Sequence, residues 1–578
     1  MLSSMAIVIG AVSAFVAWAL VWLINATTNL AFYQRLSGGF RSPAAHHLGV
    51  LVILVPVAGG LVIGLMARFG SEKIRGHGIP EALEAILFGR SRMEVKVALL
   101  KPLSSAISIG TGGPFGAEGP IILTCGAFGS LFAQLFHLSS AERKTILVAG
   151  AAAGMSAIFA TPIAAVLLAV ELLLFEWKPR SLVPVAVAAV VAGSLRIYML
   201  GEGPIFLIPS HVPLASEGLI AALVAGIIAG LGSSALTRLV YACEDLFTAL
   251  PIHWMWWPAL GGLVVGIGGV IDPRILGVGY DVIHALLQGK VIGPAILGLL
   301  IGKALIWSIA LGSGTSGGVL APLLMIGGAL GALEAPWLPG GDAGLWALIS
   351  MAAVMGGTMR SPLTSIVFAL ELTHDVNLLP ALLVSCIAAH AVTVLVMRRS
   401  ILTEKVARRG YHIVREYSVD PLDTLRVSDV MDSQVQTIPA TTILSDLSDR
   451  IARGDPEVTR HHGIPIVDDQ GNLAGMITRG DIMRGLELNN DATVIDAGTR
   501  DVVVTYPDEI LHVAVDKMLR NDIGRLPVVN RDQPYKVVGY LGRPAILASR
   551  LQRMHEEHVR EPGWLWPSSK SISTVRQD

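Results

Sequence analysis

The sequence predicts an all-α polytopic membrane domain made of two related halves with broken helices, followed by a smaller α/β domain built from two copies of one unit. Three observations lead there. The 578 residues are 53% hydrophobic and 15% charged, with a mean hydropathy of +0.62, whereas soluble domains carry about 25% charged residues. Apolar runs long enough to cross about 30 Å of hydrocarbon recur up to about residue 400, after which the composition turns polar and charged. Landmarks rich in glycine and proline recur in the same order at nearly constant spacing, the sign of an internal duplication.

Taken in order, Met5–Leu23, Leu48–Met66, Leu219–Leu236, Leu297–Leu311 with its flanks and Leu378–Met397 are predicted to span. The first run, Met5–Asn25, is too long and too uniformly apolar for a signal peptide and lacks a basic leader, so it reads as the first membrane helix. Pro80–Phe88 and Pro162–Glu171 are too short to span; such half-length helices are tolerated when buried in protein or lining a water-filled path. The expected layout is a membrane domain over 1–402, a linker over 403–426, paired soluble units over 427–488 and 489–555, and a tail over 556–578.

Gly110-Thr111-Gly112-Gly113-Pro114-Phe115-Gly116-Ala117-Glu118-Gly119-Pro120 gathers glycines and prolines around one carboxylate. Glycine lets backbone approach a ligand closely, and proline suits the first turn of a helix. A new helix is therefore predicted near Glu118, and free N–H groups at a helix start favour anions. Glu118 is either a competitor for such an anion or a plain cap of its own helix. The stretch from Gly110 matches the one from Gly312, with Glu118 opposite Leu320. Gly76-His77-Gly78 matches Gly277-Val278-Gly279. Ala160-Thr161-Pro162 through Glu171 matches Arg360-Ser361-Pro362 through Glu371. The offsets are 202, 201 and 200 residues. Transporters are often built from such halves, with the ion site where broken helices meet.

Other classes find little support. Net charge is −1, so there is no global electrostatic case for nucleic acid. Cys125, Cys243 and Cys386 have neither metal-ligand nor disulfide spacing. Gly314-Thr315-Ser316-Gly317-Gly318 fits the serine-hydrolase pattern but lies in a membrane helix break rather than after a strand. No phosphate-binding G-x-x-x-x-G-K-[ST] occurs, and His555-Glu556-Glu557-His558 lacks the spacing of a zinc protease helix.

Gly76-His77-Gly78-Ile79-Pro80, Gly116-Ala117-Glu118-Gly119-Pro120 and Gly317-Gly318-Val319-Leu320-Ala321-Pro322 together resemble the three anion-binding motifs of the CLC chloride channel and transporter family. The resemblance covers nearly the whole chain. It implies a homodimer in the bilayer with one anion pathway per subunit. It also implies coordination of chloride by backbone N–H groups of Val319, Leu320 and the turn Gly116, Ala117 and Gly119, with Glu118 as the gating glutamate. Backbone amides supply partial charge, so the anion binds without being trapped. Protonation of Glu118, near pH 4.3 for an unperturbed carboxyl, would vacate the site.

Three positions depart from the family pattern. His77 stands where a serine is common, and Leu402 where a tyrosine is common, so two hydroxyls of the inner anion site are missing. His77 either donates one hydrogen bond, attracts anion when charged, or faces a polar loop. Leu172 stands where exchangers carry an internal proton-transfer glutamate. Glu171 is adjacent, but one residue of regular helix is about 100° of rotation, and its repeat mate Glu371 suggests an architectural role for both.

In the tail, Ile464-Pro465-Ile466-Val467 and Gly475–Asp481 recur as Leu526-Pro527-Val528-Val529 and Gly539–Ala545. Short strands alternate with helical stretches Leu444–Arg453 and Leu511–Arg520. The pattern resembles tandem CBS domains, which implies a regulatory, cytoplasmic position and an adenine nucleotide as ligand. By that resemblance Thr478 and Asp481 fit phosphate- and ribose-contacting positions. Asp481 also suits a helix N-terminal carboxylate. The second copy has Gly542 and Ala545 there.

The expected function is transmembrane chloride transport, sensitive to pH and voltage, through a pore gated by Glu118, passive or loosely proton-coupled. The alternatives are a chloride/proton antiporter and, further off, a secondary transporter of another substrate, for which no carboxylate cluster is visible. No enzymatic activity is expected.

Overall fold

The computed structural model describes residues 1–206, 208, 211–409, 422, 425–459, 462–489, 491–533, 536–558 and 560–561. Most of the expected linker 403–426 and tail 556–578 lies outside the described residues. The chain divides into two compact units, one reaching to about residue 410 and one covering about 419 to 558.

The first unit is helical: α1 (Leu2–Tyr33), α2 (Leu54–Phe69), α3 (Ile79–Leu87), α4 (Val95–Gly110), α5 (Glu118–Gln134), α6 (Ser140–Phe159), α7 (Pro162–Leu168), α8 (Pro179–Leu200), α9 (Ser216–Thr248), α10 (Trp257–Ile271), α11 (Tyr280–Leu287), α12 (Pro294–Gly312), α13 (Leu320–Glu334), α14 (Ala343–Met359), α15 (Pro362–Thr373), α16 (Leu379–Val396) and α17 (Ile401–Arg408). Among the described residues, eight helical stretches are long and apolar enough to cross a membrane. The five spans expected from hydropathy fall within them, except that the second begins at Leu48, one residue before Gly49. Pro179–Leu200, Trp254–Ile271 and Leu320–Trp337 also meet the length and apolarity of a span.

The duplication extends to packing. α1 packs on α4, α6 and α8 as α9 packs on α12, α14 and α16, and α5 lies on α6 as α13 lies on α14. Helix breaks also recur. α6 ends at Ala160 (φ 56°) and α14 at Arg360 (φ 57°). Each is followed by a helix with proline at its start, Pro162 and Pro362.

The orientation of the repeat, which the sequence left open, follows from glycine contacts between α2 and α10. A Cβ on Gly60 would lie 2.3 Å from the Pro258 carbonyl oxygen, and one on Gly262 2.4 Å from that of Pro56. Farther along, Gly64 meets Met255 and Gly266 meets Ile53. Numbers rise along one helix as they fall along the other, so the two equivalent spans run antiparallel. A two-fold axis relating antiparallel spans lies in the membrane plane, and the repeat is inverted. Missing Cβ atoms permit this close backbone approach.

The second unit holds two copies of one sheet motif. Gly463–Val467 pairs antiparallel with Leu473–Thr478 and parallel with Ile438–Pro439. Arg525–Val529 pairs antiparallel with Val537–Gly542, and Thr505 bridges Val528 in parallel. Irregularities sit at matching places, Ile466/Val467 and Val528/Val529. The cores exchange short segments. Val427 joins Leu511, Ala514, Leu526 and Leu541 of the second copy, while Val494 joins Leu444, Leu447 and Ile466 of the first.

Candidate functional site

Three glycine-rich loops meet in the interior of the first unit, before α3, α5 and α13. Gly76 N–H donates to the Thr315 carbonyl (3.2 Å) and Gly317 N–H to the Gly76 carbonyl (3.4 Å). Gly318 N–H donates to the Gly116 carbonyl at 2.8 Å, and Gly116 N–H returns a bond to the Gly318 carbonyl at 3.2 Å. A Cβ on Gly119 would stand 1.8 Å from the His77 carbonyl oxygen and 3.2 Å from the Gly318 Cα. These positions need glycine because backbone touches backbone.

Glu118, the first residue of α5, is fully buried. Its Oε1 accepts a hydrogen bond from Ala321 N–H at 3.0 Å, in the first turn of α13. Its Oε2 is buried without a hydrogen-bond partner among the described residues. A Cβ on Gly116 would be 1.9 Å from Oε2, and one on Gly318 2.8 Å from Oε1. The carboxylate therefore lies across the start of α13, beside the buried Val319 and Leu320. The N–H groups of a first turn have no partner within their own helix, and here the Glu118 carboxyl group takes up one of them.

His77 is buried with Nδ1 unpartnered among the described residues, and its carbonyl backs Gly119. Leu402 is buried on α17, which packs against α3. Arg409, just past α17, pairs with Glu81 (2.7 Å) and Glu84 (2.6 Å) of α3. The structure thus gathers Gly116, Ala117, Glu118, Gly119, Val319 and Leu320 with the His77 loop, and sets Leu402 on a neighbouring helix.

Glu171 lies elsewhere, at the contact of α7 with α15. It accepts from Leu363 N–H (3.2 Å), Thr364 N–H (2.8 Å) and the Thr364 hydroxyl (2.5 Å). Glu371 does the reverse, accepting from Ile163 N–H (3.0 Å) and Ala164 N–H (2.8 Å). Each carboxylate caps the other half's helix. The regular helix assumed for this stretch is replaced by a π turn over Ala169–Leu174, with Leu172 buried in it.

Two buried lysines escaped the sequence reading. Lys101 donates to the carbonyls of Ile74 (2.8 Å) and Gly76 (2.7 Å), and Lys303 to those of Ile275 (2.9 Å) and Gly277 (2.7 Å). Each holds the loop before a half-length helix. The signal was present as one lysine in an apolar stretch of each half at the repeat offset. Ser316, the serine of the hydrolase-like pattern, is buried and bonded to Ser104 (3.1 Å) and Ser105 (2.9 Å). The three cysteines are free thiols.

In the second unit Thr478 and Asp481 bind each other. Asp481 Oδ2 accepts from Thr478 N–H (2.8 Å) and from its hydroxyl (2.6 Å), and Asp481 N–H donates back at 3.4 Å. This is a capping box at the start of Arg479–Leu488. Gly542 and Ala545 of the second copy present no side-chain oxygen.

Comparison with known proteins accords with this architecture. The family model described as voltage gated chloride channel matches residues 59–394, and the CBS domain model matches 427–488 and 494–550. The voltage-gated ClC-type chloride channel ClcB of Escherichia coli O81 (strain ED1a) is 31% identical over 398 residues, 67% of this chain and 90% of that protein. ClcB of Shigella flexneri is 30% identical over the same shares. Among solved structures, a slow cyanobacterial Cl−/H+ antiporter aligns with a TM-score of 0.63 at 21% identity, over 71% of this chain and 97% of its own. A eukaryotic CLC transporter aligns with a TM-score of 0.62 at 17% identity, over 94% and 97%. A CLC-type fluoride/proton antiporter aligns with a TM-score of 0.58 at 20% identity, over 72% and 98%. With its inverted halves, its three interlocked glycine loops and its paired C-terminal domains, the chain belongs to the CLC family of voltage-gated chloride channels and carries C-terminal CBS domains.

Proposed function

We propose that the chain conducts chloride across the membrane along a path gated by Glu118, passively or with loose proton coupling, as a homodimer with its CBS domains on the cytoplasmic side. The observation that carries this reading is the Glu118 carboxylate seated on Ala321 N–H at the start of α13. A charged Glu118 competes with the anion for backbone donors; a neutral one releases them. Val319, Leu320 and the part of the turn after Gly116 (Ala117 to Gly119) supply the remaining backbone donors in this reading, the Gly116 N–H being taken by the Gly318 carbonyl. His77 adds a neutral or charged imidazole near the inner end, and Leu402 contributes no donor.

Loose coupling is favoured because Leu172 carries no proton and Glu171 is engaged by Leu363 and Thr364. Two structural neighbours are a Cl−/H+ antiporter and a fluoride/proton antiporter, and antiport by this chain is the second reading. The membrane domain spans 1–402 in this reading, followed by a linker over 403–426, CBS units over 427–488 and 489–555 and a tail over 556–578, with an adenine nucleotide as the ligand of the first CBS copy. The test is chloride efflux from proteoliposomes across a pH series. Glu118→Gln keeps permeation and loses most of its pH dependence; a wild-type pH profile in that variant refutes the gate. Fixed-stoichiometry uphill proton uptake driven by chloride alone refutes loose coupling.

A further inference from the structure

The loop before α11 is the repeat mate of the His77 loop, and Tyr280 opens that helix at the place Ile79 holds in the first half. The Tyr280 hydroxyl is buried and has no hydrogen-bond partner among the described residues. A buried unmet hydroxyl is costly and uncommon, and calls for a ligand or a role.

The ring is held from two sides. Phe159 meets it edge-on with centroids 6.4 Å apart, and Phe206 with centroids 6.2 Å apart. Phe159 is in turn packed on Phe368 at 5.0 Å, and Phe206 N–H donates to the Leu372 carbonyl at 3.1 Å. The hydroxyl therefore cannot swing away to find a partner. Its surroundings lie close to the Glu118 seat. Gly279 abuts Met325, where a Cβ would stand 1.9 Å from Cε. Met325 is one helical turn along α13 from Ala321, whose N–H holds the carboxylate. While Glu118 is seated, a donor in the second half thus lies near the carboxyl group without touching an acceptor among the described residues.

We propose that the Tyr280 hydroxyl donates a hydrogen bond to the permeant anion once that anion replaces the Glu118 carboxylate at the start of α13. The two hydroxyls missing at His77 and Leu402 are then answered by one from the opposite half. A phenol suits this role because it is neutral, so it orients and weakly holds an anion without trapping it. This inference rests on the reading of Glu118 as the gate.

The test compares Glu118→Ala with Glu118→Ala/Tyr280→Phe in the purified full-length protein, by chloride calorimetry and by chloride efflux. Removing the carboxylate opens the seat in both. The expected result is about tenfold weaker chloride binding in the double variant, as befits one lost hydrogen bond to a charged group. Its thermal unfolding temperature should be unchanged or higher, because phenylalanine removes a polar group that had no partner. A chloride Kd unchanged by Tyr280→Phe overturns this inference alone, including the case where the substitution only alters the pH profile with Glu118 present. Failure of Glu118→Ala itself to bind and conduct chloride overturns the gating reading along with it.

Discussion

Replacing Glu171 or Glu371 by glutamine separates an architectural carboxylate from one that carries protons. Each accepts two backbone N–H groups from the first turn of the other half's helix. A glutamine keeps one acceptor oxygen and turns its NH2 toward the second N–H, so one charge-assisted bond is lost and one buried donor is left unmet. A hydrogen bond to a charged group contributes about 1.5–3 kcal/mol, and the charge at a helix start about 0.5 kcal/mol. Either substitution should therefore destabilise by about 2–3.5 kcal/mol. The Thr364 hydroxyl, bonded to Glu171 alone among the described residues, can rotate and accept from the new amide, so it does not separate the two variants. Unfolding by SDS titration in mixed micelles, followed by tryptophan fluorescence, measures both, and parallel vesicle assays measure chloride efflux and proton uptake. Matched losses of stability with unchanged proton uptake are expected. The reasoning fails if Glu171→Gln costs under about 0.5 kcal/mol while abolishing chloride-driven proton uptake.

Gly119→Ala drives a methyl into the His77 carbonyl, 1.8 Å away, and toward the Gly318 Cα at 3.2 Å. Both contacts are backbone, so about 3 kcal/mol of destabilisation and loss of most chloride efflux are expected, read by thermal unfolding and vesicle flux. Asp481→Ala opens the capping box and should cost about 1 kcal/mol in the C-terminal unit. It should also remove adenine nucleotide binding, which calorimetry on the whole chain should show at no more than one per chain; two equal sites would contradict the asymmetry between Asp481 and Ala545.

Local chemistry made much of this fold readable before any coordinates. Long apolar runs became spans because no other element satisfies backbone groups in hydrocarbon with so little side-chain polarity. The glycine loops were readable because Gly116, Gly119 and Gly318 mark places where backbone meets backbone. What stayed hidden depends on partners far away in sequence. Hydropathy is the same read in either direction, so the antiparallel run of α2 against α10 needed the contacts of Gly60 and Gly262. The exchange of caps by Glu171 and Glu371 needed the packing of α7 on α15, and sequence spacing supplied only the hint that both carboxylates recur. Trp254–Ile271 was missed as a span because its Gly- and Trp-rich stretch dilutes hydropathy. In the second unit, the exchange of Val427 and Val494 between cores is invisible to any reading that treats each copy as self-contained. Tyr280 went unremarked because its repeat mate is an isoleucine, and only burial of its oxygen makes it unusual.

The reciprocal pair of bonds between Gly116 and Gly318 joins equivalent loops of the two halves across the two-fold axis. Backbone near that axis is the same seen from either face of the bilayer, so it cannot tell inward from outward. The distinction is left to side chains, and the most drastic difference there is a carboxylate at position 118 against a leucine at 320. On the proposed reading of Glu118 as the gate, rectification is written as a point of broken symmetry in an otherwise reversible frame, and exchanging the residues at 118 and 320 should turn the polarity of the current around.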